Sequence, residues 1–358
     1  MNRMNKTMDG RVPVALEYTA KVTEKGKSPY MKNWKRMTAL LLAVCLMVPS
    51  LVSCGSKKET VVVFSSMEDY RNEELRRQLK EKFPDIEVDV QQLSTGNNAA
   101  KIKAEGTKTE ADIVLGLETA SFLQILDNFA PLDGYKTDHF LDGVNGADKR
   151  MLIWEKYEGA FMVNTKVLAA KGLAEPKTYD DLLKPEYKGM IVMPNPKTSG
   201  TGYMFLNTWV NTMGKEGALA YVDKLQENIK QFTESGSGPI QMLVQGEVAV
   251  GLGMVFQAAQ QITEGAPIKV IEPAGGCPYN TTAFGIIKGK ETRESVQKIF
   301  TFLNEEFIVY DKQHFVGGKI LKDQDIQIPN YPTGLTSADM STVTDDALKK
   351  ELVEAWKY

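Results

Sequence analysis

The chain is poor in the side chains on which most enzyme mechanisms depend. Its 358 residues include three cysteines and two histidines, His139 and His314, both among polar or loop residues. It contains no Gly-x-Ser-x-Gly elbow, no His-Glu-x-x-His, no Cys-x-x-Cys and no phosphate loop ending in Gly-Lys-Ser/Thr, and no Gly-x-Gly-x-x-Gly follows the first predicted strand. We therefore expect a protein that is not an enzyme, with no catalytic residues, no metal ligands and no cofactor.

Long hydrophobic runs are also scarce. The apolar stretch 38–52 is too short for a comfortable membrane span and is interrupted by Pro49. It follows the short basic region 31–36, and this order is typical of a signal peptide.

The stretch Leu51-Val52-Ser53-Cys54-Gly55 closes this segment and resembles the bacterial lipobox, in which the cysteine becomes the lipidated first residue. We predict an N-terminal extension with a lipoprotein signal peptide over 1–53, lipidation at Cys54, and a polar tether over 54–60. Met1 and Met31 are both candidate translation starts. We favour Met31, because residues 1–30 contain no apolar run and the signal peptide begins after them.

Positive charge is not in excess in the remainder of the chain. Without residues 1–53 there are 34 lysines and arginines against 43 aspartates and glutamates, a net charge near −9. This balance argues against nucleic acid or an anionic membrane surface as partner. Once Cys45 and Cys54 are set aside, Cys277 is the remaining thiol, so no internal disulfide is expected.

Strands and helices alternate through the chain, which predicts an α/β fold. The first is a buried strand at 61–64, and a capping box of Ser66 and Asp69 is expected to open the helix after it. The predicted organisation is a first lobe at 61–160, a second lobe at 161–282, and a return strand with C-terminal helices at 283–358. Further expected helices are 118–129, 201–213 and 215–227.

Four junctions combine hydroxyl side chains or glycine with a strand end or a helix start. A helix start with bare N–H groups attracts anions, and in open α/β sheets ligands lie at the carboxyl ends of strands. Each junction alone is more often a plain helix cap, but four together favour a phosphoryl or carboxylate ligand. The predicted ligand-binding residues at these junctions are Ser65, Ser66, Ser94, Thr95, Gly96, Ser199, Gly200, Thr201, Gly202, Ser235, Gly236 and Ser237.

Several segments in this order resemble the extracellular solute-binding proteins of ABC importers, in the branch with ferric-iron, thiamine, hexose-phosphate and phosphonate binders. The residues that carry the resemblance are Cys54, 61–66, 111–114, Asn164-Thr165, 178–183, 187–189, Pro194-Asn195-Pro196 and Ser199-Gly200-Thr201. The resemblance implies a two-lobed periplasmic-binding-protein-like type II fold. Its lobes would close on the ligand about a two-strand hinge, which we place near Val163 and Phe284.

One departure from the family pattern concerns iron. Iron-binding members typically use two adjacent tyrosines, whereas here Tyr279 is followed by Asn280 and no Tyr-Tyr pair occurs. Ferric iron prefers hard oxygen ligands such as phenolate. We include Tyr279 and Asn280 among the predicted ligand-binding residues. The tyrosines expected as aromatic walls of the cleft are Tyr70, Tyr157, Tyr203 and Tyr279, with packing in the core as an equal alternative for Tyr203.

The sequence thus predicts a solute-binding lipoprotein that captures a small anionic solute and delivers it to an ABC permease and its ATPase. A phosphoryl or phosphonate group is favoured, as in an organophosphate or 2-aminoethylphosphonate. The alternatives are a ferric-iron-binding protein of an ABC importer and, less favoured, a secreted phosphate-ester hydrolase. We expect a monomer at the extracellular face of the cell membrane, held by a lipid anchor, or on the periplasmic side where an outer membrane is present.

Overall fold

The computed structural model describes residues 58–358, so the predictions for 1–57, including lipidation at Cys54, lie outside the described residues. The strands are β1 Glu59–Ser65, β2 Ile86–Gln92, β3 Ile113–Glu118, β4 Leu152–Asn164, β5 Ile191–Pro194, β6 Ile229–Thr233, β7 Val250–Met254, β8 Ile268–Ile271 and β9 Tyr279–Ile286. The α-helices are α1 Asp69–Lys82, α2 Thr95–Glu105, α3 Thr119–Leu123, α4 Thr165–Lys171, α5 Gly200–Leu225, α6 Gly238–Val244, α7 Val255–Thr263, α8 Glu294–Phe302, α9 Ile308–His314 and α10 Asp346–Ala355.

The strands form a mixed sheet in the order β2-β1-β3-β9-β4-β7-β5-β6, with β8 also paired to β4. In the first half β1 runs parallel to β2 and β3, and in the second half β5 runs parallel to β6 and β7. Strands β4 and β9 are antiparallel to each other and join the two halves. The predicted α/β class is confirmed.

Strand β4 belongs to both halves because it is 13 residues long. Its residues from Leu152 to Glu158 pair with β9, and those from Gly159 to Val163 pair with β7. Val163 therefore lies inside the second half, on one of the two strands that join the halves. The crossing occurs nearer Glu158, because the strand continues unbroken past the point where its partner changes.

Each half surrounds its own hydrophobic core. The first core contains Trp154 and Phe284 with the apolar faces of β1 and β3, and α8 covers it. The second core contains Trp209 together with side chains of β5, β7 and α5. The C-terminal helix α10 adds Leu352 to this second core.

Helix α5 is interrupted as the sequence predicts. Gly214 has φ 75° and ψ 167°, a conformation that separates the helix into two segments. The predicted helices 201–213 and 215–227 are therefore confirmed within one or two residues.

Two local predictions are wrong. Helix α1 begins after Glu68 with no side-chain cap, and the Ser66 hydroxyl accepts a hydrogen bond from Asn98 Nδ2 (3.1 Å) because it faces α2. The helix expected over 118–129 ends at Leu123. The rings of Phe122 and Phe129 lie 4.1 Å apart between centroids, which a continuous helix forbids because residues seven apart differ by about 10 Å in rise.

Within residues 58–358, no helix has the length and the apolar character that a membrane crossing needs.

Candidate functional site

A cleft of about 640 Å³ lies where several helix starts approach one another. Its walls include the first residues of α1, α2 and α5 and the turn that leads into α6. Strands β4 and β9, which join the halves, supply Glu155, Tyr157 and Thr282. The cleft therefore draws on both halves of the sheet.

The structure brings nine of the fourteen predicted ligand-binding residues into this one cleft. They come from all four junctions, although 170 residues of chain separate the first from the last. The nine are Ser66, Ser94, Thr95, Ser199, Gly200, Thr201, Ser235, Gly236 and Ser237.

Three predicted residues lie behind the cleft wall instead. The Ser65 hydroxyl is buried and donates to Asn72 Oδ1 (2.7 Å). A Cβ on Gly202 would lie 2.4 Å from the Pro194 carbonyl oxygen, so this glycine allows helix α5 to approach β5 closely. Gly96 likewise allows the start of α2 in the first half to approach the segment before α5 in the second half.

Tyr279 and Asn280 also lie outside the cleft. The Tyr279 ring packs under the Lys156 ammonium, 4.1 Å from the ring centroid. Asn280 is fully buried, and its Nδ2 donates to the Gly200 carbonyl (3.3 Å) and to Glu118 Oε1 (3.3 Å). Asn280 thus supports the start of α5 from behind.

The start of α5 keeps donors available. Ser199 is the N-cap, and its hydroxyl oxygen accepts from the Gly202 amide (3.4 Å). The amides of Gly200 and Thr201 have no hydrogen-bond partner among the described residues. These two N–H groups lie at the positive end of the helix dipole. A Cβ on Gly200 would lie 2.8 Å from Glu118 Cγ, so the buried Glu118 side chain leaves room only for glycine at this position.

Four residues that line the cleft each hold a buried oxygen atom that has no partner in residues 58–358. These atoms are Ser94 Oγ, Thr198 Oγ1, Gln257 Oε1 and Thr282 Oγ1. A buried polar atom without a partner costs about 1–3 kcal/mol, and such atoms in native proteins are commonly satisfied by a ligand or water. Their concentration in one cleft indicates a place where polar groups of a solute bind.

The two halves touch across the cleft. The Gly96 amide, at the start of α2, donates to the Thr198 carbonyl (3.0 Å), which precedes α5. A Cβ on Gly96 would lie 2.6 Å from the Lys197 carbonyl oxygen, so only glycine permits this approach. The Gln257 amide reaches from α7 toward Glu68 Oε1 (3.4 Å) in the other half.

Sequence reasoning missed the acidic end of the cleft. Glu68, Asp69 and Glu155 line it, and the buried Arg71 guanidinium donates to Glu68 Oε2 (2.8 Å) and Glu155 Oε2 (2.5 Å). Burial raises the pKa of Glu68 despite the neighbouring Arg71 charge. The available signal was the position of Glu68 and Asp69, which follow the Ser65-Ser66 junction after one residue, Met67.

Of the four tyrosines proposed as walls, Tyr70 and Tyr157 line the cleft. Tyr203 belongs to the second core, and Tyr279 packs on Lys156. Burial raises the pKa of both Tyr70 and Tyr157, and nearby carboxylates raise it further. Both phenols therefore stay protonated and can donate a hydrogen bond.

The chain is similar to known binding proteins. The family model of the bacterial extracellular solute-binding proteins matches residues 129–308. An uncharacterized protein of Haemophilus influenzae is 28% identical over 261 residues, which cover 70% of this chain and 75% of that protein.

Two solved structures share the fold. The periplasmic binding protein P5PA matches with a TM-score of 0.72 and 25% identity, over 83% of this chain and 98% of its own. AfuA from Actinobacillus pleuropneumoniae, solved with exogenous fructose-6-phosphate bound, matches with a TM-score of 0.74 and 23% identity, over 84% of this chain and 98% of its own.

The fold and these matches define a two-lobed periplasmic-binding-protein-like type II architecture. Because the family model covers half of the sequence, this chain belongs to the bacterial extracellular solute-binding proteins. It is a solute-binding protein of the class that serves ABC importers.

Proposed function

We propose that this protein captures a small anionic solute by its phosphoryl or phosphonate group and delivers it to an ABC permease. The observation that carries the proposal is the set of unpaired donors at the starts of α2 and α5. The amides of Gly200 and Thr201 and the hydroxyls of Ser94 and Thr198 have no partners among the described residues, and these four residues all line one cleft.

A phosphoryl group suits these donors because it presents several acceptor oxygens at once. Amides at the N-terminus of a long helix stabilise such a charge with no reorganisation. An organophosphate or 2-aminoethylphosphonate fits this description. The bound fructose-6-phosphate of AfuA supports a phosphorylated solute for this chain as well.

Ferric iron is a weaker proposal for this cleft. Its two tyrosines lie on different elements, and burial raises the pKa of each phenol, which opposes the phenolate that iron requires. Within residues 58–358, no group of three or more histidine, cysteine, aspartate or glutamate side chains is placed to hold a metal ion.

We further propose that a lipid on Cys54 holds the protein at the extracellular face of the membrane. The basic region, the apolar run and the small residue before Cys54 support this attachment. Fractionation of cells that express Cys54→Ala should move the protein from the membrane to the soluble extracellular fraction. Unchanged membrane retention would rule out the anchor.

Isothermal titration calorimetry tests the solute class. The compounds are phosphate esters, aminoalkyl phosphonates, thiamine phosphates and chelated ferric iron. We expect saturable binding of at least one phosphoryl or phosphonate compound and none of iron. Tight iron binding with a tyrosinate charge-transfer colour would contradict the proposal, and inorganic phosphate released from a bound ester would favour a hydrolase.

A matched pair of variants tests whether the phosphoryl group binds at the start of α5. Thr201→Ala removes one cleft hydroxyl and should weaken phosphoryl binding by about 0.5–1.5 kcal/mol. Thr107→Ala removes an exposed hydroxyl outside the cleft and should leave the affinity unchanged. Equal affinities for the two variants would place the phosphoryl group away from the start of α5.

A further inference from the structure

The charged side chains that line the cleft are all acidic. Glu68, Asp69 and Glu155 line it, and no lysine, arginine or histidine of residues 58–358 does. An anion bound at the start of α5 would therefore share the cleft with carboxylates, which calls for a compensating positive charge.

The buried charges beneath the cleft do not supply it. Arg71 binds Glu68, Glu155 and Asp311, and the Lys312 ammonium contacts Asp311 and lies 3.6 Å from Glu155 Oε2. This cluster holds three carboxylates against two cations and thus keeps one excess negative charge. The cation contacts of Glu155 all run through one oxygen, Oε2.

Besides the carboxylates, two further hydrogen-bond acceptors at the acidic end of the cleft lack partners among the described residues. Gln257 is 3% exposed, and its Nε2 donates to Ser237 Oγ (2.7 Å), which leaves Oε1 unpaired within the described residues. Thr282 is 5% exposed, its Oγ1 is also unpaired there, and it lies directly opposite Glu155 in the β4–β9 pair. Both residues line the cleft.

We propose that the solute carries an ammonium group, which binds at an acceptor subsite formed by Glu68, Glu155, Gln257 and Thr282. This inference rests on the proposed function, because it places the phosphoryl group of the same solute at the start of α5. An ammonium has three donors and no acceptor, which matches a set of carboxylate, amide and hydroxyl oxygens. Its charge also balances the excess carboxylate of the cluster beneath.

Calorimetry with three matched compounds tests the ammonium directly. O-phosphoethanolamine, 2-hydroxyethyl phosphate and ethyl phosphate share the phosphoryl group and differ only at the far end of a two-carbon chain. We expect O-phosphoethanolamine to bind at least tenfold more tightly than either of the others. If 2-hydroxyethyl phosphate binds equally well, the subsite accepts hydroxyl groups and the inference is wrong.

Isosteric variants test whether the ammonium group binds at this acceptor subsite. Glu155→Gln and, should that variant fail to fold, Glu68→Gln remove one negative charge from the subsite. Each should weaken O-phosphoethanolamine by at least tenfold and ethyl phosphate by much less. Glu81→Gln, on the exposed face of α1, is the control and should change neither affinity. Equal losses for both compounds in Glu155→Gln would overturn the subsite.

The two proposals fail in different ways. If all three compounds bind alike, the phosphoryl site stands and the ammonium subsite is wrong. If none of them binds while propylamine does and Glu155→Gln abolishes that binding, the acceptor subsite stands and the phosphoryl function is wrong.

Discussion

Arg71 is the residue on which the buried charges beside the cleft depend. Its side chain is fully buried and donates to carboxylates of three separate elements, including Asp311 (Nε to Oδ1, 2.9 Å). Removing one partner of a buried ion pair leaves uncompensated charge and costs about 3–5 kcal/mol. We expect Arg71→Met to lower the free energy of unfolding by this amount, as measured by urea denaturation.

Arg77, on the same helix, is the matched control. It pairs with Glu74 and Glu81, but its side chain is 53% exposed. Exposed pairs contribute about 0–1 kcal/mol, so Arg77→Met should change the free energy of unfolding by no more than this. Similar losses in the two variants would show that the Arg71 cluster does not stabilise the fold.

The Cys277 thiol is expected to be unreactive in the folded protein. The residue is fully buried, and burial raises its pKa to about 12, so the reactive thiolate is scarce at pH 8. A disulfide reagent such as DTNB should therefore label Cys277 only after unfolding in urea, and Cys277→Ser corrects for the other cysteines. Rapid native labelling that disappears in Cys277→Ser would contradict this burial.

The sequence predicts the role of a residue well where the neighbouring residues alone indicate that role. Ser199 caps its helix as its position before a glycine and an apolar run indicates. Glu155 and Gln257 could not be predicted in this way, because their setting depends on distant partners. Arg71, which orders Glu155, binds Asp311 at a separation of 240 residues.

At the scale of elements, Gly214 is the point where α5 divides. Its φ of 75° and ψ of 167° lie in a region that is essentially restricted to glycine, and other residues there cost about 1–3 kcal/mol. Gly214→Ala should lower the free energy of unfolding by that amount. Gly134→Ala, at a position with open space and an ordinary φ, should be nearly neutral. A neutral Gly214→Ala would mean that α5 runs straight.

Strands and helices with strong local patterns were predictable, and their junctions were less so. Strand β1, Glu59–Ser65, contains the buried strand that the pattern predicts at 61–64. The end of α3 at Leu123 depends on the contact between Phe122 and Phe129, and the crossing in β4 depends on which strand pairs with which residue. Such pairings are set by the whole sheet and have no local signature.

At the scale of the whole molecule, Gly96 tests how the halves close on a solute. A Cβ here would lie 2.6 Å from the Lys197 carbonyl oxygen and 2.9 Å from Thr198 Cα, both backbone atoms that cannot move aside cheaply. Alanine suits the helical position itself, so folding should be retained. We expect Gly96→Ala to weaken solute binding by at least tenfold and to abolish the compaction that solute causes in small-angle X-ray scattering.

Gly146→Ala serves as the control, because a Cβ there meets nothing within 4 Å. It should bind solute and become compact like the parent protein. If Gly96→Ala also closes normally, the contact between Gly96 and Thr198 does not belong to the solute-bound form.

The central claim is that a phosphoryl group binds the free amides of the cleft, and the sequence offers a selective way to observe them. Serine is followed by glycine at only three places in the chain, at Gly200, Gly236 and Gly238. Protein labelled with carbonyl-¹³C serine and ¹⁵N glycine therefore gives three HNCO signals. The Gly200 and Gly236 amides have no partner among the described residues, whereas the Gly238 amide donates to the Ser235 carbonyl (3.1 Å).

The measurement is a titration of these three signals with 2-aminoethylphosphonate or, if calorimetry ranks it higher, fructose 6-phosphate. We predict that the amide protons of Gly200 and Gly236 shift downfield and saturate at the calorimetric affinity, while that of Gly238 moves less. Saturable binding in the calorimeter with an unchanged Gly200 signal would contradict the account.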